Sequence, residues 1–155
     1  MSIYLNYTWK DYMKIAIASD HAGLRLKNIL KNHFAEYEFI DMGTHTEDSC
    51  DYPDYAALAG EKVISREADA GIVICGTGIG ISIAANKVKG IRAALCCNEF
   101  MAEMSRRHND SNVLALGARV IGDDLAIRIT DVWLKTSFEG GRHERRVLKI
   151  GKIES

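Results

Sequence analysis

Five short apolar runs set the rhythm of this chain: KIAIAS at 14–19, YEFIDM at 37–42, AGIVIC at 70–75, IRAALCC at 91–97 and NVLALG at 112–117. Helical stretches follow them, at about residues 23–35, 54–67, 78–88, 98–107, 122–136 and 143–153. The runs are apolar on both faces and so need cover on both, and strands separated by helices of this length join in parallel. The sequence therefore predicts an α/β fold: a single Rossmann-like three-layer domain over residues 13–155, a five-stranded parallel sheet with helices on both faces. Gly90 suits the end of the third helix, and Gly122-Asp123-Asp124 opens the fifth with acidic residues where the helix dipole favours them. Residues 1–12, MSIYLNYTWKDY, follow neither period and read as an N-terminal extension or an expression remnant.

Such a domain needs no staple. With 155 residues and 47% hydrophobic content it can bury roughly two-thirds of its unfolded surface. The 20 basic and 21 acidic side chains are interspersed and nearly cancel, which leaves no overall basic field for a nucleic acid or an anionic membrane. Cys50, Cys75, Cys96 and Cys97 form no CxxC pair, so free thiols in a reducing compartment are expected. No apolar run approaches the ~20 residues of a membrane span and no signal-peptide pattern opens the chain, so the expected location is cytoplasmic.

In open parallel sheets ligands bind beyond the carboxyl ends of the strands. The residues there are polar: Ser19-Asp20-His21, Gly43-Thr44-His45, Cys75-Gly76-Thr77-Gly78, Asn98-Glu99 and Gly117-Ala118-Arg119. The loop Gly76-Thr77-Gly78-Ile79-Gly80 lies between a strand and a helix, where backbone N–H groups receive anions. It is not a dinucleotide fingerprint, because Ile81 occupies the final glycine position and the first turn, Asp20-His21-Ala22-Gly23, carries none either. Nor is it a nucleotide-phosphate loop with its lysine, or a phosphatase loop, which needs an arginine where Ile81 stands. No cofactor is expected.

Cys75 heads this loop, placed to act as base or nucleophile; the plainer alternative is a tight turn with a small buried residue. Asp20 is either a proton relay or the cap of an Asx-type turn, and His21 beside it an anion ligand. The polar cluster Arg106-Arg107-His108-Asn109-Asp110 ends a helix, where a dipole partner is the alternative to a site. Arg142 and Arg146 stand four apart at a helix start, an arrangement that favours an added anion such as phosphate over a merely solvated face. His33, His45 and His143 join no grouping with metal spacing, so no metal is expected; Trp133 and Phe138 read as packing residues.

With these residues in view, 13–153 resembles ribose-5-phosphate isomerase B, in the wider family that includes galactose-6-phosphate isomerase subunits. The resemblance rests on SDHAG at 19–23, DYPDYA at 51–56, GIVICGTGIGISIAANK at 71–87, GIRAALC at 90–96, RRHNDSNVLALGARV at 106–120 and FEGGRHERRV at 138–147. It implies an aldose-ketose isomerase that interconverts ribose 5-phosphate and ribulose 5-phosphate through an enediolate. Cys75 then matches the base; some members use a glutamate elsewhere. Thr77 matches its support, and the amides of Gly76, Thr77, Gly78, Ile79 and Gly80 match the anion hole. His108 matches the ring-opening residue and Asn109 its hydrogen-bonding neighbour. Asp20, His21 and Tyr52 match substrate contacts, and Arg119, Arg142 and Arg146 the phosphate side. The resemblance further implies a homodimer with shared active sites, with tetramers as a further option. Cys50 and Cys97 match no role. Alternatives are an isomerase of allose or galactose 6-phosphate, a non-catalytic sugar-phosphate-binding protein, and a thiol hydrolase using Cys75 and His108.

Overall fold

The computed structural model describes residues 13–154, so the expected N-terminal extension lies outside the described residues. The strands are β1 (Lys14–Ser19), β2 (Glu38–Asp41), β3 (Ala70–Cys75), β4 (Ala93–Leu95) and β5 (Val113–Gly117). The helices are α1 (Leu24–His33), α2 (Tyr52–Ile64), α3 (Ile79–Ala85), α4 (Glu99–Asn109), α5 (Asp123–Lys135) and α6 (Arg142–Gly151). The sheet is parallel throughout, in the order β2-β1-β3-β5-β4. The predicted three-layer α/β fold is therefore the observed one.

Side-chain alternation divides each central strand between two cores. Ile15, Ile17, Ile72, Ile74, Leu114 and Leu116 pack with residues of α1, α4 and α5, including Leu26, Leu30, Ala102, Ile129 and Trp133. Ala16, Ala18, Val73, Cys75, Val113 and Ala115 face Ala56, Ala59 and Val63 of α2 and Ile81 and Ala85 of α3. The second layer is built from smaller side chains, and it is the layer that Cys75 faces. Trp133 is buried as expected, and its indole N–H donates to Ser111 Oγ at 2.9 Å. Among the described residues no helix is long and apolar enough to cross a membrane.

Two elements fall furthest short of their sequence patterns, by about four residues each. The third helix was expected to reach residue 88 but stops at Ala85, because Asn86 turns its side chain onto the edge strand. Asn86 Nδ2 donates to the carbonyls of Ser82 and Ala93, each at 3.0 Å, and its Oδ1 accepts the Ala93 N–H at 2.8 Å. β4 then begins only at Ala93, since the Ile91 amide closes a turn onto Val88 and the Arg92 amide is taken by Asn112 Oδ1.

Thr130, on the buried face of α5, has no solvent exposure, and its hydroxyl has no hydrogen-bond partner among the described residues. A buried hydroxyl without a partner costs more than the methyl that would replace it. Thr130→Val should therefore stabilise the protein by about 1 kcal/mol, read as a higher urea midpoint at unchanged denaturant slope. A loss of stability would mean that the hydroxyl is satisfied in solution.

Candidate active site

β1 and β3 are neighbours at the centre of the sheet, and the chain leaves them in opposite directions, which opens a crevice beyond their carboxyl ends. Cys75 is the last residue of β3 and is 4% exposed. The Gly78 N–H donates to its Sγ at 3.1 Å, and a donor aimed at sulfur stabilises negative charge there. The Ile79 N–H donates to Thr77 Oγ1 at 3.2 Å. Two of the amides expected to receive an anion thus already serve side chains of their own loop.

β5 forms the wall behind this loop. The Ala118 amide donates to the Cys75 carbonyl and the Arg119 amide to the Gly76 carbonyl, both at 2.9 Å. Gly117 lies so close that a Cβ on it would stand 2.4 Å from the Thr77 carbonyl oxygen, so only glycine fits. The Arg119 side chain runs alongside Gly76. On the opposite side Tyr52, the first residue of α2, lays its ring against Gly80, where a Cβ would come within 2.7 Å of it.

Asp20 is 6% exposed, and its Oδ1 accepts the amides of Ala22 and Gly23 at 3.0 and 3.1 Å. The turn-capping reading of Asp20 therefore holds for this oxygen. His21 Nδ1 accepts the Cys50 N–H at 3.3 Å, with Cys50 Sγ 3.9 Å away. An imidazole that accepts through Nδ1 carries its proton on Nε2. Cys50, which matched no role in the sequence analysis, thus orients His21 through its backbone; nothing in the sequence signals a pairing across this distance.

The remaining candidates lie elsewhere. His108 is in the last turn of α4 and stacks on His143, ring centroids 4.1 Å apart and planes 9° from parallel. Glu139 approaches both rings, Oε2 to His108 Nε2 at 3.9 Å and Oε1 to His143 Nε2 at 4.0 Å. Burial pushes the His143 imidazole below its ordinary value, and the nearby His108 and Arg142 push the same way. A histidine kept neutral by the fold gives up stability as pH falls through the ordinary imidazole range, where the unfolded chain takes the proton first. Arg142, Arg146 and Asn109 are exposed, and the Asn109 carbonyl accepts from Arg92 Nε at 3.2 Å. Arg106 is structural: it donates to the carbonyls of Thr136 and Ser111 and lies over the Trp133 ring.

His108, Glu139 and His143 form a donor grouping of the kind that holds zinc, with ligand atoms within 4.8 Å of one another. The expectation that no such grouping exists missed it, although Glu139 and His143 stand four apart. The arrangement does not suit a cation. Parallel stacked rings do not converge their lone pairs on one point, Arg142 Nε points at His143 Nε2 at 3.5 Å, and Arg107 holds Glu139 at 3.0 Å. Surrounded by arginines, the cluster is better fitted to an anion.

The candidates therefore fall into two groups. Cys75 pairs in register with Gly117, whereas His108 precedes Val113, at the opening end of β5, which pairs with Gly71. Four strand steps separate those ends, about 13 Å, and α4 spans the same length of the sheet. Within one chain, Asp20, His21, Tyr52, the glycine loop and Arg119 surround Cys75. His108, Asn109, Arg142 and Arg146 gather at the opposite end.

Known proteins share both sequence and fold with this chain. Ribose-5-phosphate isomerase B of Escherichia coli (strain K12) is 51% identical over 143 residues, which is 91% of this chain and 96% of that protein. The structure of ribose-5-phosphate isomerase B from Clostridium thermocellum superposes with a TM-score of 0.91 at 60% identity, covering 92% of this chain and 97% of that one. The Mycoplasma genitalium ribose-5-phosphate isomerase B structure, with bound ribulose-5-phosphate, gives a TM-score of 0.87 at 46% identity, covering 92% of this chain and 96% of that one. The profile described as Ribose/Galactose Isomerase matches residues 15–150, nearly all of the domain, and the chain belongs to that family.

Proposed function

We propose that this protein is a ribose-5-phosphate isomerase that works in the cytoplasm as a homodimer with shared active sites. The observation that carries this reading is Cys75. In a member of this family, a thiol stands at the crevice end of the central strand with an amide aimed at its sulfur. The ribulose-5-phosphate bound to the Mycoplasma genitalium relative supports the substrate class.

In the proposed mechanism His108 assists opening of the sugar ring, with Asn109 beside it. The Cys75 thiolate takes the proton from the carbon next to the carbonyl, with Thr77 in support. Free amides of the loop from Gly76 to Gly80 stabilise the enediolate, Asp20 relays a proton between the sugar oxygens, and Cys75 returns the carbon proton. Tyr52 packs beside the sugar, while His21, Arg119, Arg142 and Arg146 hold the phosphate. A positioned base supplies about 10²- to 10⁴-fold and an oxyanion donor about 10²- to 10³-fold, which is ample for an enolisation. Placement supports the sharing: one chain puts His108 and Cys75 at opposite ends of its sheet, and a second copy can bring the two ends together.

The reading is tested by following ketose formation from ribose 5-phosphate, allose 6-phosphate and galactose 6-phosphate, with EDTA present. Ribose 5-phosphate should react without metal or nucleotide. Turnover of only a six-carbon sugar would reassign the substrate, binding without turnover would favour a sensor, and activity lost to EDTA and restored by a metal would overturn the mechanism.

A further inference from the structure

α1 carries a lysine with no solvent exposure. Lys27 Nζ donates to Asp41 Oδ1 at 2.7 Å and to the Thr44 carbonyl at 2.6 Å. A buried ammonium persists only where oxygens surround it. Asp41 is equally committed: its other oxygen pairs with Lys31 at 2.7 Å, and Oδ1 also accepts the Gly43 N–H at 2.9 Å. Burial works against its ionisation, but the bonds from Lys27, Lys31 and Gly43 outweigh it and hold the carboxyl below its ordinary range.

The pinned segment borders the candidate site. The Gly43 carbonyl accepts the Ser19 N–H at 2.7 Å and the Thr44 N–H donates to the Ser19 carbonyl at 2.8 Å, which ties the exit of β2 to the tip of β1 beside Asp20. From Thr44 the chain crosses residues 45–51 and delivers the Cys50 amide to His21 and then Tyr52 to Gly80. The Thr44 carbonyl is where this loop is anchored to the interior. An apolar side chain at position 27 would leave that carbonyl and Asp41 short of a donor.

We propose that Lys27 is a positioning residue: through the Thr44 carbonyl it fixes the loop at 44–51, and so fixes the tautomer of His21 and the seat of Tyr52. The kinetic part of this inference rests on the isomerase reading; the structural part does not. Lys31 supplies the control, since it pairs with the same carboxylate but, in the structure, reaches Asp41 and not Thr44.

The experiment compares Lys27→Met and Lys31→Met with the parent by two measurements. The first is the ¹⁵N NMR shifts of the His21 ring nitrogens in the free protein. The second is the kinetics with ribose 5-phosphate. In Lys27→Met the His21 shifts should move from one tautomer towards an average of two, and KM should rise about tenfold with kcat within about threefold, the pattern of lost uniform binding. Lys31→Met should leave both readouts near the parent's. Should Lys27→Met fail to fold, Lys27→Gln, which keeps an N–H donor without the charge, should give shifts between parent and average. A folded Lys27 variant with parental His21 shifts overturns the proposal, as does a Lys31→Met that moves them equally. If the parent lacks isomerase activity, the functional reading falls, while the NMR comparison still decides the role of Lys27.

Discussion

Cys75→Ser should lower turnover of ribose 5-phosphate by at least about 10²-fold while leaving substrate affinity and the fold largely intact, because it removes a positioned base. A hydroxyl fits the space of the thiol and can still accept the Gly78 N–H, so the loop keeps its shape. What it loses is basicity near neutral pH. The measurement is single-turnover kinetics beside a binding titration, since the reading requires chemistry to fail while binding survives. Retention of most of the turnover would make another residue the base and leave Cys75 as packing. Alkylation is the less clean route to the same question. Burial pushes the Cys96 thiol up to about 11, which keeps it protonated and inert, but Cys97 is exposed and Cys50 half-buried. Inactivation by a thiol reagent therefore has to be mapped by mass, with substrate protecting Cys75.

Mixing two impaired proteins should restore activity above that of either one. Cys75→Ala leaves the His108 end of the sheet intact, and His108→Ala leaves the Cys75 end intact. If each site takes one end from each subunit, every heterodimer holds one complete site and one doubly damaged site. At equal amounts and full exchange, half of the dimers are heterodimers, so activity should reach about a quarter of the wild-type value per chain. Sugar rings also open spontaneously, so His108→Ala retains a background that initial rates must subtract. Subunit exchange is confirmed by native mass spectrometry. No gain despite confirmed exchange would sink the shared site and return both residues to one chain.

The layers of the fold were legible in the sequence because the strand runs were continuous, their tips polar and their glycines well placed. What the pattern overran was settled by side chains reaching back across turns, Asn86 and Asn112 at the edge strand above all. The candidate site was legible where it was contiguous: the Cys75 loop and the Asp20-His21 turn are single stretches of chain. It was not legible where packing joins distant segments. Lys27 lies in an ordinary helical stretch and reads as a surface lysine until the Thr44 carbonyl turns inward to meet it. Cys50 meets His21, and His143 meets His108, only because the sheet order and α4 bring them together. The division of the candidates between two ends of the sheet was implied by the resemblance to a family with shared sites, and it takes residue-level form once α4 runs back between two parallel strands.

The close approach of Gly117 to Thr77, with the two amide bonds from Ala118 and Arg119, has a bearing on how the site breathes. Glycine-rich loops often open locally, at small cost, ahead of the rest of a protein. Here the loop is spliced onto the tip of a central strand, so it cannot swing away without disturbing the middle of the sheet. The amides of Ala118 and Arg119 should therefore fall in the slowest class of hydrogen exchange, released only when the whole domain unfolds. On the isomerase reading, the loop that carries Cys75 should then stay still while substrate enters and leaves.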